Sequence, residues 1–506
     1  MRISTRQIQQ LGIDSILAQQ EKLSRTQQQV ATGKRVLLPS DDPVATTQLL
    51  QLRQSIETTE QYQANADAAI NRLQQEEGVL TSITEILQSV RVLAVQGNNA
   101  SQTNETRGFM AEEIRQRIEE LVGLANTRDG TGDYLFAGTM GATTPFIKDS
   151  QGKYVYQGDQ NQRYLQVGNG RRVADGDAGS AVFQLVRNGN GTFVAAPSGN
   201  ATVQADVANS GTALVEGVVV SAQSILALDG YSIVFDAVTP GSYEVVDAAG
   251  SSLTPPVTGT YVSPGPEDID ISIGGDVVAT VTMSGTPEPN DRFTLDLSGM
   301  PRGTAVIGEA TLVDGTFIPS LPNGYTLTFS RPIPDGSISY QVTDSTGAQV
   351  KSGPWVENQP IEFNGARLAI TGTPADGDTF TVRSSEYQNI FQTLENLATA
   401  LDAPVHGPAD QAHLNNAVNR ALGDIDLAME NILLVRAGVG SRLNAIESQV
   451  YVNESYLIQA QETLSSVEDL DYAEAISRLH MQMAGLEAAQ QTYLKVNGLS
   501  IFNYLR

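Results

Sequence analysis

The chain has 506 residues, 40% of them hydrophobic, and 57 Asp plus Glu against 31 Lys plus Arg give a formal charge of −26. That length holds roughly two to four domains, and that acidity works against nucleic acid or an anionic membrane as the main partner, since both would repel it. Cysteine is absent, which removes disulfides, thiolate nucleophiles and cysteine metal sites together.

The opening MRISTRQIQQLGIDSILAQQ has no apolar core of the kind a secretory signal needs. No run of the sequence approaches the roughly 20 apolar residues of a membrane span. The expectation is a soluble protein, or one that leaves the cell by a route that reads no ordinary signal peptide. The first helix carries Ile16, Leu23 and Val30 seven apart, but Gln20 and Gln27 occupy the companion series. A stripe so thin needs partners. Next comes ATGKRVLLPSDDPVATTQ, where Gly33 suits a helix C-terminus, Pro39 and Pro43 bar continuous helix, and Ser40, Asp41 and Asp42 can cap a helix starting near Pro43. The second helix, about 44–95, places Leu49, Ile56 and Ile70 on one seven-residue series. Leu52, Ala66, Leu73, Leu80 and Leu87 fall on the other, with Gln63 and Glu77 interrupting the stripe.

From about 140 to 385 the composition turns to Gly, Val, Thr, Asp and Pro, and period-two alternation between turn residues predicts strands. YVYQGDQNQRYLQV reads as a hairpin turning near Gly158. An internal repeat follows: GYSIVFDAVTPGSYEVV from Gly230 matches GYTLTFSRPIPDGSISYQV from Gly324. GTPEPNDRF from Gly285 likewise matches GTPADGDTF from Gly372, with Asp291 and Phe293 answering Asp378 and Phe380. Two related β modules in tandem are expected. The middle offers no chemistry: phosphate loop, GxSxG and HExxH are all missing. Asp268 and Asp270 in EDIDISIGGD share a strand face but read as a solvated edge, and DGDAG at 175–179 lacks the remaining ligands of a calcium loop. The three histidines, His406, His413 and His480, are too few and too scattered for a metal centre. No catalytic, cofactor or metal site is expected.

The helical style returns after about 386. Val418, Ile425, Ile432, Val439, Ile446, Asn453 and Ala460 form one heptad series. Leu422, Met429, Arg436, Leu443, Val450, Leu457 and Leu464 form its companion, broken mainly by Arg436 and Asn453. No proline follows Pro408, so nothing obvious stops a helix that would be on the order of 70 Å long. At the end, Leu486, Tyr493, Val496, Leu499, Phe502 and Leu505 line one helical face. Burying the last five large side chains is worth roughly 7–15 kcal/mol, more than a lone helix pair can hide.

MRIST at the start, ATGKRVLLPSDDPVA after the first helix, and LSSVEDLDYAEAISRL with QQTYLKVNGLSIFNYL at the end resemble the flagellin superfamily, over roughly 1–140 and 385–506. The resemblance implies a multidomain α plus β fold, with long coiled-coil arms from both termini and an all-β insertion. Expected divisions are terminal helices 1–40 plus 465–506, disordered in the monomer; a long-helix domain, 41–140 plus 386–464; a connecting region, 141–228; and β modules at 229–300 and 301–385. Ile16, Leu23, Val30 and the terminal face would meet neighbouring subunits. Leu49, Leu52, Ile56, Ile70, Leu73, Leu80, Ile425, Ile432, Val439, Leu443, Ile446 and Leu457 would pair within one subunit. The implied role is a structural adaptor between hook and filament. Implied partners are copies of itself, another hook-associated junction protein, flagellin, and an export chaperone at the C-terminal region. The implied location is the extracellular flagellum, reached without a cleaved signal. Two alternatives stay open: the filament subunit itself, or a surface adhesin whose β insertion binds glycans.

Overall fold

The structure is a computed structural model and describes residues 5–149, 152–198, 202–220, 230–262, 266–273, 276–296, 301–313, 324–331, 336–405 and 407–502. His406 and Leu505 lie outside them. N- and C-terminal helices enclose a β-rich middle. The helices are α1 (Thr5–Thr32), α2 (Pro43–Gly97), α3 (Asn104–Ala125), α4 (Ile390–Asp402), α5 (Pro408–Glu468) and α6 (Tyr472–Phe502). Local chemistry sets several ends. Gly33 leaves α1 at φ +72 with its N–H on the Gln29 carbonyl. Asp42 Oδ1 accepts from Ala45 N at the start of α2. α5 runs for 61 residues, about 90 Å, and it does stop without proline or glycine. Asp471 Oδ1 accepts from Ala473 N and Glu474 N, capping α6 and ending the run. One 18-residue window of α2 reaches a mean hydropathy of 1.3, enough by length and composition alone to cross a membrane, and 44% of that window is buried inside the fold.

By packing, the chain forms two compact units: residues 1–71, 164–175 and 441–506, and residues 72–163 and 176–440. This division cuts along α2 and α5, whereas the sequence placed its boundaries at their ends.

Gly158 is not a hairpin turn. Tyr154–Tyr156 pairs with Phe146–Lys148, and Tyr164–Gly168 pairs with Arg171–Ala174. The segment between them is held elsewhere: the Asp159 carboxylate takes the Thr139 N–H, and the Tyr156 hydroxyl donates to the Phe136 carbonyl.

Two β modules follow, each with its own apolar core around Phe235 and Phe293 or around Phe329 and Phe380. In module A a five-stranded sheet runs Ser252–Thr260, Ser242–Val246, Ser232–Phe235, Arg292–Asp296, Thr202–Ala205. A three-stranded sheet runs Glu267–Ile273, Asp276–Ser284, Leu214–Val220. In module B the five-stranded sheet runs Gln349–Pro354, Ser339–Thr343, Tyr325–Ser330, Thr379–Ser384, Phe193–Pro197. Its three-stranded sheet runs Ile361–Phe363, Ala366–Thr371, Val306–Leu312. All these pairings are antiparallel. Both modules therefore take strands from the region read as connecting, 141–228. They are also nested, not tandem: the chain lays down Phe193–Pro197 of module B, builds module A, then returns at residue 301.

The two modules share one fastening. Asp291 and Asp378 are buried. Asp291 accepts from the backbone of Ser210, Gly211 and Glu288; Asp378 accepts from Arg302, Gly303 and Ala375. Gly285 and Gly372 both have positive φ, and a Cβ on either would sit 2.3 or 2.1 Å from the carbonyl oxygen of Thr212 or Thr304. Repeat residues that look like turn punctuation are therefore a carboxylate knot with a glycine that no other residue can replace. In the same place, residues 207–208 of module A correspond to residues 199–300 of module B. The Asp206 and Ser198 N–H groups bond Arg292 O and Thr379 O respectively, and Asp291 and Asp378 then hold the return.

α5 grips this region by backbone atoms. His413 Nε2 pairs with Pro301 O, and Asn416 takes Ile307 N and gives to Ala305 O. Asn419 gives to Ile307 O, Asp424 takes Gly189 N, and Asn431 gives to Ala181 O and Val182 O. His413 is thus a packing residue. His480 is exposed.

Candidate assembly surface

α1 and α6 lie antiparallel in constant register. Gly12 faces the Tyr493 ring, Gln19 faces Gly485, and Gly33 faces the Tyr472 hydroxyl. Ile16, Leu23, Val30, Leu486 and Tyr493 are half-buried along this seam. Val496, Leu499 and Phe502 continue α6, with side chains outside the described residues. The sequence reading missed a second set: Leu11, Leu17, Met481 and Leu494 are more than half exposed. No helical period joins them: Leu11 and Leu17 are six apart and Met481 and Leu494 thirteen, so neither pair shares a face.

The two motifs on either side of this pair meet. Arg35 N donates to Glu468 O at 2.7 Å and Leu470 N to Gly33 O at 2.9 Å. The Arg35 guanidinium donates to Val467 O. Both carboxylate oxygens of Glu468 accept from Arg53 at 2.7 Å, and Lys34 Nζ lies 2.5 Å from Oε1. Lys34 first and Arg53 second hold the Glu468 carboxyl below the usual carboxylate range. Asp41 accepts from Leu37 N and Leu38 N and pairs with Arg25. The acidic pair Asp41–Asp42 therefore closes a turn and caps a helix.

On α2 and α5, Leu49, Ile56, Leu73, Leu80, Ile425, Ile432, Val439 and Ile446 are buried; Leu52, Ile70, Leu443 and Leu457 are half-buried. The heptad interruptions have partners. Arg436 Nε and Nη2 donate to Glu77 Oε1 at 2.8 and 2.6 Å, so the break in one stripe answers the break in the other. Asn453 is buried and donates to Val167 O at 2.9 Å.

A further buried group went unread. Arg72, 7% exposed, pairs with the Asp129 carboxylate and donates to Tyr134 O and Leu135 O. Beside it, buried Glu76 accepts from Asp177 N. Arg72 knits α2 to the turn after α3, and Glu76 knits it to the segment at Asp177. Among the described residues no group of three or more His, Cys, Asp or Glu is placed to hold a metal. Asp268 and Asp270 instead accept from Thr282 and Thr280 across an edge hairpin.

Comparison with known proteins bears on this arrangement. A family model for the bacterial flagellin N-terminal helical region matches residues 3–140. Flagellar hook-associated protein 3 of Escherichia coli K12 is 33% identical over 202 residues, 40% of this chain and 62% of that protein. The same-named protein of Salmonella typhimurium LT2 is 31% identical over 186 residues, 37% and 58% respectively. The matches thus span about six-tenths of the length of these curated relatives. The crystal structure of hook-associated protein 3 from Legionella pneumophila aligns with 82% of this chain and 98% of its own at TM-score 0.59 and 23% identity, a likeness of fold. The chain thus carries a region similar to the bacterial flagellin N-terminal helical region over residues 3–140, resembles relatives named flagellar hook-associated protein 3 over part of their length, and shares the fold of one such protein.

Proposed function

We propose that this protein is a structural adaptor at the junction of flagellar hook and filament, on which flagellin polymerises, and that it is not an enzyme. The terminal pair carries the reading. Two helices share one register yet leave four large apolar side chains, Leu11, Leu17, Met481 and Leu494, in water. Relatives named for the hook supply a setting in which neighbouring molecules would cover them. In this reading the inner helices, 1–40 plus 465–506, open in the free chain and close on assembly. The long-helix region, 41–140 plus 386–464, is an antiparallel coiled coil within one subunit. The β insertion faces outward as two related modules, a kinship supported by their common strand order and by the Asp291 and Asp378 knots. Partners are copies of this chain, the other hook-associated junction protein, flagellin, and an export chaperone at the C-terminal region. The site of action is the extracellular flagellum, reached through the flagellar type III pathway.

A strain lacking the gene is expected to show hooks without filaments and flagellin shed into the medium; normal filaments would end the proposal. Copy number per flagellum separates an adaptor from a filament subunit. Leu499→Asp with Phe502→Asp is expected to abolish junctions by placing charge at an assembly seam, while both β modules stay folded. Normal motility in that strain would contradict the assignment.

A further inference from the structure

We propose that the clasp around Glu468 is a charge-operated latch that fixes the angle at which the terminal pair leaves the long helices. Its effect on junctions rests on the adaptor reading, but its existence does not. Two short segments, 33–42 and 469–471, carry the chain from α1 to α2 and from α5 to α6. Untied, each would be a hinge. They are tied by two backbone hydrogen bonds, by Arg35 on the Val467 carbonyl, and by one carboxylate.

That carboxylate does what the backbone bonds cannot. Glu468 is the last residue of α5, Lys34 follows α1, and Arg53 belongs to α2. One acid therefore bridges three segments. It is also the enclosed member of the group: its side chain is 10% exposed, against 49% for Lys34 and 47% for Arg53. Removing the acid's charge leaves two facing cations with nothing between them, whereas removing either cation leaves the acid one partner. The charged and titratable neighbours from each surrounding element are Arg25 of α1; Lys34, Arg35 and Asp41 of the first connection; Arg53 of α2; Asp469 of the second; and Tyr472 of α6. Asp41 is occupied by Arg25 and Asp469 by Ser465, so neither carboxylate replaces Glu468. The latch holds at neutral pH, where the carboxylate is ionised. It opens as pH falls through a value below the usual carboxylate range, because the folded state has lowered that value. Its bases are half-exposed, so concentrated salt weakens it too.

The absence of cysteine gives a clean test. The full chain carrying Gln51→Cys and Gln490→Cys is spin-labelled. The distance distribution is recorded for the free chain and for junctions formed on isolated hooks. The parent is expected to show a narrow peak at neutral pH in at least one of these states, lost in acid and in concentrated salt. Glu468→Gln is expected to lose the narrow peak at neutral pH while keeping its helical circular dichroism. The triple variant Lys34→Glu, Arg53→Glu, Glu468→Arg is expected to recover it, which a purely steric role would not allow. A narrow peak in Glu468→Gln equal to the parent's, no recovery in the triple variant, or no narrow peak in either parent state overturns the latch. Failure of the chain to join hooks overturns the adaptor reading alone, since the free chain still decides the latch.

Discussion

The long helices and the terminal helices use the same heptad grammar to opposite ends. Along α2 and α5, Leu73, Leu80, Ile432 and Val439 are fully enclosed. Along α1 and α6 the seam residues are half-covered, and Leu11, Leu17 and Leu494 face water. In the adaptor reading, the first pair finishes its burial within one chain and the second keeps a surface in reserve. An apolar stripe therefore says that a helix has a partner, and only its completeness says whether the partner is already present.

Several substitutions bear on this contrast. Arg72→Ala strips the partner from buried Asp129 and is expected to cost about 3–5 kcal/mol, read as a lower Tm by calorimetry; an unchanged Tm would mean the charges are solvated. Leu80→Ala or Ile432→Ala is expected to cost about 3 kcal/mol. The same truncation at Leu17 should fall within about 0.5 kcal/mol in the free chain yet weaken junction formation. Equal costs at both places would erase the distinction between the pairs. Glu77→Leu alone is expected to cost about 1 kcal/mol, since the Arg436 pair is partly open to water. Glu77→Leu with Arg436→Leu should recover that loss by completing the stripe; a double variant worse than the single would show that the ion pair stabilises. Smallest of all, replacing residues 199–300 with Val-Ala, the sequence at 207–208, is expected to leave the helical unfolding transition in place. A shift of that transition would mean module A supports the helices.

The buried stripes were legible because Ile425, Ile432, Val439 and Ile446 repeat at seven. Helix ends were legible where Gly33 and Asp42 supply local bonds. What escaped depends on distant pairing. Glu77 and Arg436 each read as a flaw, and only their meeting explains both. Arg72 and Asp129 went unread because nothing local tells a paired ion from a solvated one. The tandem expectation failed for a related reason. Phe193–Pro197 shares no evident wording with Thr202–Ala205, though both are edge strands of matching sheets, so the copy that begins first in the chain looked as though it began second.

The grip of α5 on the β region has its own consequence. His413, Asn416, Asn419, Asp424 and Asn431 all reach main-chain atoms. Peptide groups are common to every amino acid, so the grasp depends little on which side chains the held segments carry. Substitutions in the β region can accumulate on its surface while the atoms that α5 holds stay in place.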